Sequence, residues 1–77
     1  MDPLKVVYNQ RTKKLDIRHT RTIVKIELYS VTGTLIKTFN TAQQTQSIQL
    51  PALKKGVYIV RVWNDQNRAY SRKILNY

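Results

Sequence analysis

The sequence predicts an all-β domain, a seven-stranded antiparallel sandwich with Greek-key connections, and three observations predict it. Apolar residues recur with period two rather than about 3.6 along nearly the whole chain. β-Branched and aromatic residues cluster in short runs separated by polar turns. Those runs recur about every 8–12 residues, and two sheets give each alternating strand an inner face to bury. A five-stranded OB-like barrel is the alternative, but the chain's 2 glycines are few for the sharp bends of a small closed barrel.

The first strand is expected over residues 4–8 and the second over 14–18, with Leu15 and Ile17 on one face. The third and longest covers 22–30, with Val24, Ile26 and Leu28 alternating against Lys25, Glu27 and Tyr29. Val31-Thr32-Gly33-Thr34 supplies a hairpin turn in which Gly33 takes positive φ as the bulge residue. The fourth strand runs over 35–39. Residues 40–46 are polar without apolar periodicity and are expected to loop into a fifth strand around 47–50, which Pro51 ends because it offers no ladder N–H.

Leu53 is the one apolar plug in the solvated connection that follows. The sixth strand, 56–63, places Tyr58, Val60 and Val62 on one face and Val57, Ile59 and Trp63 on the other, which predicts a central strand. A polar Asn64-Asp65-Gln66-Asn67 turn leads to the seventh, 68–75, with Ile74 on one face and Leu75 on the other.

A chain of 77 residues allows one domain with a modest core, burying only about 60% of the unfolded surface. One domain over residues 4–77 is expected, with 1–3 as linker or expression-derived residues. With 42% hydrophobic and 23% charged residues, the composition is that of a folded module rather than a disordered one. No cysteine is present, so neither a disulfide framework nor a thiolate nucleophile enters. No run approaches the roughly 18 apolar residues of a membrane helix, and Met1-Asp2-Pro3 does not open an export signal. The 14 Lys and Arg against 4 Asp and Glu give a net charge of +10, which favours an anionic partner. The basic residues are scattered along the chain, leaving open a shared basic face or a merely solvated one.

Catalytic chemistry finds little purchase, and no cofactor is expected. His19 stands without a second His or any Cys at ligand spacing, so no metal site is expected and it reads as a loop histidine. Ser30, Ser47 and Ser71 carry no nucleophile elbow that would join them to His19 and Asp16 or Asp65. Asp2, Asp16, Glu27 and Asp65 lie on separate elements, and Gly33 and Gly56 alone cannot form a phosphate-cradling loop. The expectation is a protein that is not an enzyme. Tyr58 and Phe39 fall where core alternation puts aromatics. Tyr8, Tyr29, Trp63 and Tyr70 stay open between core and a stacking platform for single-stranded nucleic acid, the alternative partner class.

Three motifs occur in a fixed order: Ile26-Glu27-Leu28-Tyr29-Ser30-Val31-Thr32-Gly33-Thr34-Leu35-Ile36-Lys37, then Leu53-Lys54-Lys55-Gly56-Val57-Tyr58, then Lys73-Ile74-Leu75. In this order they resemble the C-terminal sorting domains of the type IX secretion system: an apolar strand with a Tyr-x-x-x-Gly turn, a Leu-x-x-Gly-x-Tyr segment and a closing Lys-Ile-Leu strand. The resemblance covers the chain from about residue 22 onward. Departures are Tyr8-Asn9-Gln10 where family members carry a Tyr-Pro-Asn-Pro type stretch, and Asn76-Tyr77 where a basic residue is frequent.

The resemblance implies an immunoglobulin-like sandwich behind a passenger protein, in Bacteroidetes-type bacteria. It also implies recognition by an outer-membrane translocon and its shuttle protein, with Gly56, Tyr58, Lys73, Ile74 and Leu75 as the recognition residues and Gly33 as the structural turn. In many members a surface sortase, a cysteine protease, removes the domain and joins the passenger to anionic lipopolysaccharide. The expected location is the periplasm in transit, then the cell surface or the medium. The +10 charge adds attraction to anionic lipopolysaccharide or to acidic surfaces of the machinery, weakening with salt. Exposed sheet edges leave self-association open.

Overall fold

The computed structural model describes residues 3–77, so the linker assignment of residues 1 and 2 lies outside the described residues. Pro3 already joins the fold, its carbonyl accepting from Thr20 N at 3.1 Å. Five strands follow in order: β1 (Leu4–Asn9), β2 (Lys14–Ser30), β3 (Leu35–Gln49), β4 (Gly56–Asn64) and β5 (Ala69–Asn76). All pair antiparallel, and no helix occurs among the described residues.

Five strands replace the expected seven because two expected connections are themselves strand. Residues 19–21 continue β2, and residues 40–46 continue β3. The expected loop at 40–46 shows no apolar alternation because β3 lies along a sheet edge with most of its side chains in solvent; only Ile48 is buried, with Phe39, Thr41 and Gln46 half-buried. Backbone pairing to β2 holds it extended, and that pairing leaves no mark on side-chain hydrophobicity.

β2 is the spine. One of its edges carries β3 throughout; the other carries β1 beside residues 14–19 and β4 beside residues 23–30. The ladder slips between Arg18 and Ile23 and again between Ile23 and Lys25. Such bulges bend a strand and increase its twist. The sheet divides there into a first half of β1, early β2 and late β3, and a second half of early β3, late β2, β4 and β5. Inward side chains from both halves form one cluster: Leu4, Leu15, Ile17, Ile48 and Leu50 meet Ile26, Leu28, Tyr58, Val60, Val62 and Ile74. The ladders do not close, since β1, β3 and β5 each pair on one edge only, and an OB-like barrel is not formed.

The bulge also changes which residues face inward. Ile23 is fully buried while Val24 is 38% exposed, so the buried series on β2 runs Ile23, Ile26, Leu28 in place of the expected Val24, Ile26, Leu28. The β2–β3 turn is as expected: Ser30 O accepts from Gly33 N at 3.0 Å, and Gly33 sits at φ 94°. β4 is central, flanked by β2 and β5.

Truncating Ile23 to Ala removes a buried side chain and is expected to cost about 2–5 kcal/mol, whereas Val24→Ala is expected to stay within about 0.5 kcal/mol. Urea unfolding of both variants checks the phase of β2, and the reverse order of costs would refute it.

Candidate functional site

The closing hairpin of β4 and β5 is fixed at both ends. At its tip the Asn64 side-chain oxygen accepts from Gln66 N at 2.9 Å and Arg68 N at 3.1 Å, while Asn67 adopts φ 59°. Asn tolerates that left-handed conformation better than most residues. The tip is tied to the β2 bend by Asp65 N donating to Thr22 O at 2.9 Å and by the Arg21–Asp65 ion pair at 2.8 Å.

At the other end Gly56, Tyr58, Lys73, Ile74 and Leu75 come together on two paired strands. Gly56 lies opposite Asn76, Val57 opposite Leu75, Tyr58 opposite Ile74 and Ile59 opposite Lys73. Gly56 takes φ 151°, where side chains are strained, and nothing lies within 4 Å of where a Cβ would stand. Its requirement is therefore one of backbone conformation. Tyr58 and Ile74 point inward, 8% and 6% exposed, and the Tyr58 hydroxyl donates to Lys54 O at 2.6 Å. Lys73 and Leu75 point outward. The five residues thus divide by role, with only Lys73 and Leu75 presenting side chains that a partner can touch.

The outward face extends across the second half-sheet in ordered rows. Leu35, Tyr29, Ile59 and Lys73 lie side by side across four strands, and Val57 beside Leu75 continues the apolar surface to the sheet's end. Leu35 and Leu75 are each nearly half exposed. One row further, Thr38, Glu27, Arg61 and Ser71 align, and beyond them Asn40, Lys25, Trp63 and Ala69.

Glu27 organises this face. Its carboxylate accepts from Trp63 Nε1 at 2.6 Å and from the Tyr29 hydroxyl at 2.9 Å, with Lys25 Nζ at 4.0 Å. The Trp63 hydrogen bond, helped by the Tyr29 bond and by the charges of Lys25 and Arg61, holds the Glu27 carboxyl below its ordinary range despite partial desolvation. The same bond to Glu27 raises the Tyr29 hydroxyl. Lys25 Nζ lies 5.0 Å from the Trp63 ring centre and the Arg61 guanidinium 5.4 Å from that of Tyr29. These contacts orient the aromatic rings and cover them.

Asn76 is the residue that the sequence reading treated only as a departure from a pattern. It is 3% exposed and uses its whole amide. Nδ2 donates to Leu53 O at 3.0 Å and Lys54 O at 3.1 Å; Oδ1 accepts from the Tyr8 hydroxyl at 3.0 Å and Lys13 Nζ at 2.9 Å. The end of β5 is thereby joined to the β3–β4 connection and to the β1–β2 turn. A signal existed: Asn76 is two residues after Ile74 and shares its inward face. Burial, with a smaller contribution from Tyr58, raises the Tyr8 hydroxyl.

The remaining candidates scatter. His19 belongs to β2 and is 3% exposed, not a loop residue; it follows Leu15 and Ile17 on the inward face, where Nδ1 accepts from Arg21 N at 2.9 Å and the ring meets Tyr70 edge-on at 5.3 Å. Tyr8 and Tyr70 are partly buried and pack against the core. Ser30 hydrogen-bonds with Thr32 in the turn, and Asp65 is engaged at the hairpin tip. Lys5, Lys14 and Arg18 stand on the outer face of the first half-sheet and Lys25, Arg61 and Lys73 on that of the second, so these six basic residues do not share one face.

A family model described as the secretion system C-terminal sorting domain matches residues 6–76. The chain belongs to this family, whose members are C-terminal sorting signals for type IX secretion, a route to the cell surface or the extracellular space. No curated protein matches it.

Asn76→Ala strands several buried polar groups and is expected to lower stability by about 1–3 kcal/mol, against about 0.5 kcal/mol or less for Tyr77→Ala. Denaturant titration separates the two, and equal losses would remove the clamp assigned to Asn76. Glu27 makes a second test. A carboxyl held below its ordinary 4.5 stabilises above that value and loses the contribution as pH falls through its folded value. The stability gap between the parent and Glu27→Gln should therefore be full at neutral pH and shrink on acidification; a gap independent of pH would exclude a charged role.

Proposed function

We propose that this domain is a non-catalytic signal that takes a fused passenger from the periplasm across the outer membrane, docking on the translocon and its shuttle protein through the end of the second half-sheet. The observation that carries this reading is the division within the closing hairpin. Gly56, Tyr58 and Ile74 set the backbone, Asn76 locks the last strand, and Lys73 and Leu75 are left outward beside Val57, Ile59 and Tyr29. A side chain already held in place loses less entropy on docking, at about 0.5–1.5 kcal/mol per immobilised residue. A folded signal gains over an unstructured tail in this way.

In the same reading the bent sheet is an abbreviated immunoglobulin-like Greek-key sandwich in which two long strands each serve both halves. A surface sortase then removes the domain and transfers the passenger to anionic lipopolysaccharide, toward which the +10 charge gives a salt-sensitive attraction. The charge also opposes self-association. Nucleic-acid stacking is not favoured, because Lys25 and Arg61 lie over Trp63 and Tyr29 while Tyr8, Tyr58 and Tyr70 pack into or against the core.

The test is export of a periplasm-targeted fluorescent passenger ending in residues 4–77, in cells with a type IX system. Lys73→Ala with Leu75→Asp changes only outward side chains, so the melting temperature should hold while surface passenger falls about tenfold, the equivalent of about 1.4 kcal/mol of docking energy. A folded double variant exported as well as the parent would eliminate this face as the recognition surface.

A further inference from the structure

A second surface, on the outer face of the first half-sheet, has no part in the docking just described. Lys5 on β1 lies directly opposite Arg18 on β2, and Arg18 lies directly opposite Thr45 on β3. Two cations and a hydroxyl thus form one row across three strands. Like charges placed directly opposite in an antiparallel pair destabilise the sheet. Among the described residues, neither Lys5 nor Arg18 has an ion pair or a side-chain hydrogen bond. The neighbouring row holds Val7 opposite Asp16, and Asp16 likewise forms no ion pair among the described residues. These residues line an open depression of about 230 Å³, near the small end of ligand sites, which begin at about 300 Å³.

We infer that this depression binds a phosphate monoester, with Lys5 and Arg18 holding the phosphate oxygens. Directly opposed residues have Cβ atoms about 4.5–5.5 Å apart, so the two side-chain ends can close on one tetrahedral anion between them. The guanidinium offers paired N–H donors and the ammonium a point charge, the two modes by which proteins hold phosphate. Thr45 donates a third hydrogen bond. Asp16 accepts only, so it selects against a second anionic group and for a hydroxyl next to the phosphate. Val7, 49% exposed, offers an apolar wall for the carbon skeleton. The ligand class is accordingly a phosphorylated sugar or glycerol, free or displayed on a lipid or polysaccharide, rather than a polyanionic strand. Binding also removes the repulsion between Lys5 and Arg18, so ligand and fold stabilise each other.

The 77-residue chain is titrated with glucose 1-phosphate and with glycerol 1-phosphate, against sodium chloride at equal ionic strength, following thermal unfolding and backbone amide shifts. A saturable rise in melting temperature is expected with phosphate esters and not with chloride, with shifts confined to the strands around residues 5–7, 16–18 and 45. Tighter binding of the glucose ester supports the site and assigns a sugar phosphate; tighter binding of the glycerol ester supports it and assigns a glycerophosphate headgroup. Lys5→Gln and Arg18→Gln should each weaken binding about tenfold, by loss of a charge-assisted contact, and should melt no lower than the parent without ligand because the repulsion is gone. Lys54→Gln with Lys55→Gln, equally exposed but outside the depression, should bind as the parent does. A rise matched by chloride, or retained in Arg18→Gln, overturns the proposal.

Discussion

The bend in β2 is the constraint on which the rest of the molecule depends. A single strand passes through both halves of the sheet and supplies inward side chains to each: Leu15 and Ile17 before the bend, Ile23, Ile26 and Leu28 after it. Two separate sheets would need a connection and would lose chain entropy in docking. Here the covalent backbone sets their relative placement. The polar span at the bend is also where unsatisfied backbone groups would be costly, and neighbours supply the bonds. Pro3 O accepts from Thr20 N, Thr22 O accepts from Asp65 N, and Gln44 Nε2 reaches Thr20 O at 2.8 Å.

What β2 does at one end of the interior, Asn76 does at the other. Its amide connects segments far apart in sequence through four partners, in hydrogen bonds that are all partly buried. Tyr8 and Lys13 come from the first half-sheet, Leu53 and Lys54 from the connection that leads into β4. The two halves are therefore closed by polar chemistry at the last strand and by apolar packing through the middle. A small domain with little core gains disproportionately from such a clamp, because a few kcal/mol is a large share of its stability. Placing the clamp next to Lys73 and Leu75 also anchors the backbone beneath the exposed surface at that end.

The all-β class, the antiparallel order of the hairpins, the Gly33 turn, the central position of β4 and the inward Tyr58 were legible because each rests on alternation or on local turn chemistry. The continuity of β3 was not, since a largely solvated edge strand has little reason to alternate, and residues 40–46 are polar without apolar periodicity. The Val24 reading failed for a different reason. Alternation assumes an unbroken pleat, and a bulge moves the phase by one residue without any Gly or Pro to announce it. His19 was misplaced because an isolated polar residue beside a presumed strand end was read locally, although it continues the Leu15, Ile17 face. Within the site, the five residues named from sequence pattern come together on two paired strands, but the pattern assigned them one shared role, and which of them hold the hairpin and which face outward follows from the direction of each side chain.

Three strands, β1, β3 and β5, present one unpaired edge each, and open edges invite pairing with other chains. The charge distribution bears directly on this. With basic residues on the outer faces of both half-sheets and a net +10, two copies approaching one another meet a net repulsion that is screened over about 8 Å at physiological salt. The same field favours association with surfaces of opposite sign. The apolar rows that end at Leu35 and Leu75 therefore lie on a domain whose net charge works against the approach of a second copy. Dispersing the basic residues over the domain, rather than gathering them in one patch, extends that protection to every edge, so the scatter that argues against a nucleic-acid groove suits a small, edge-exposed module.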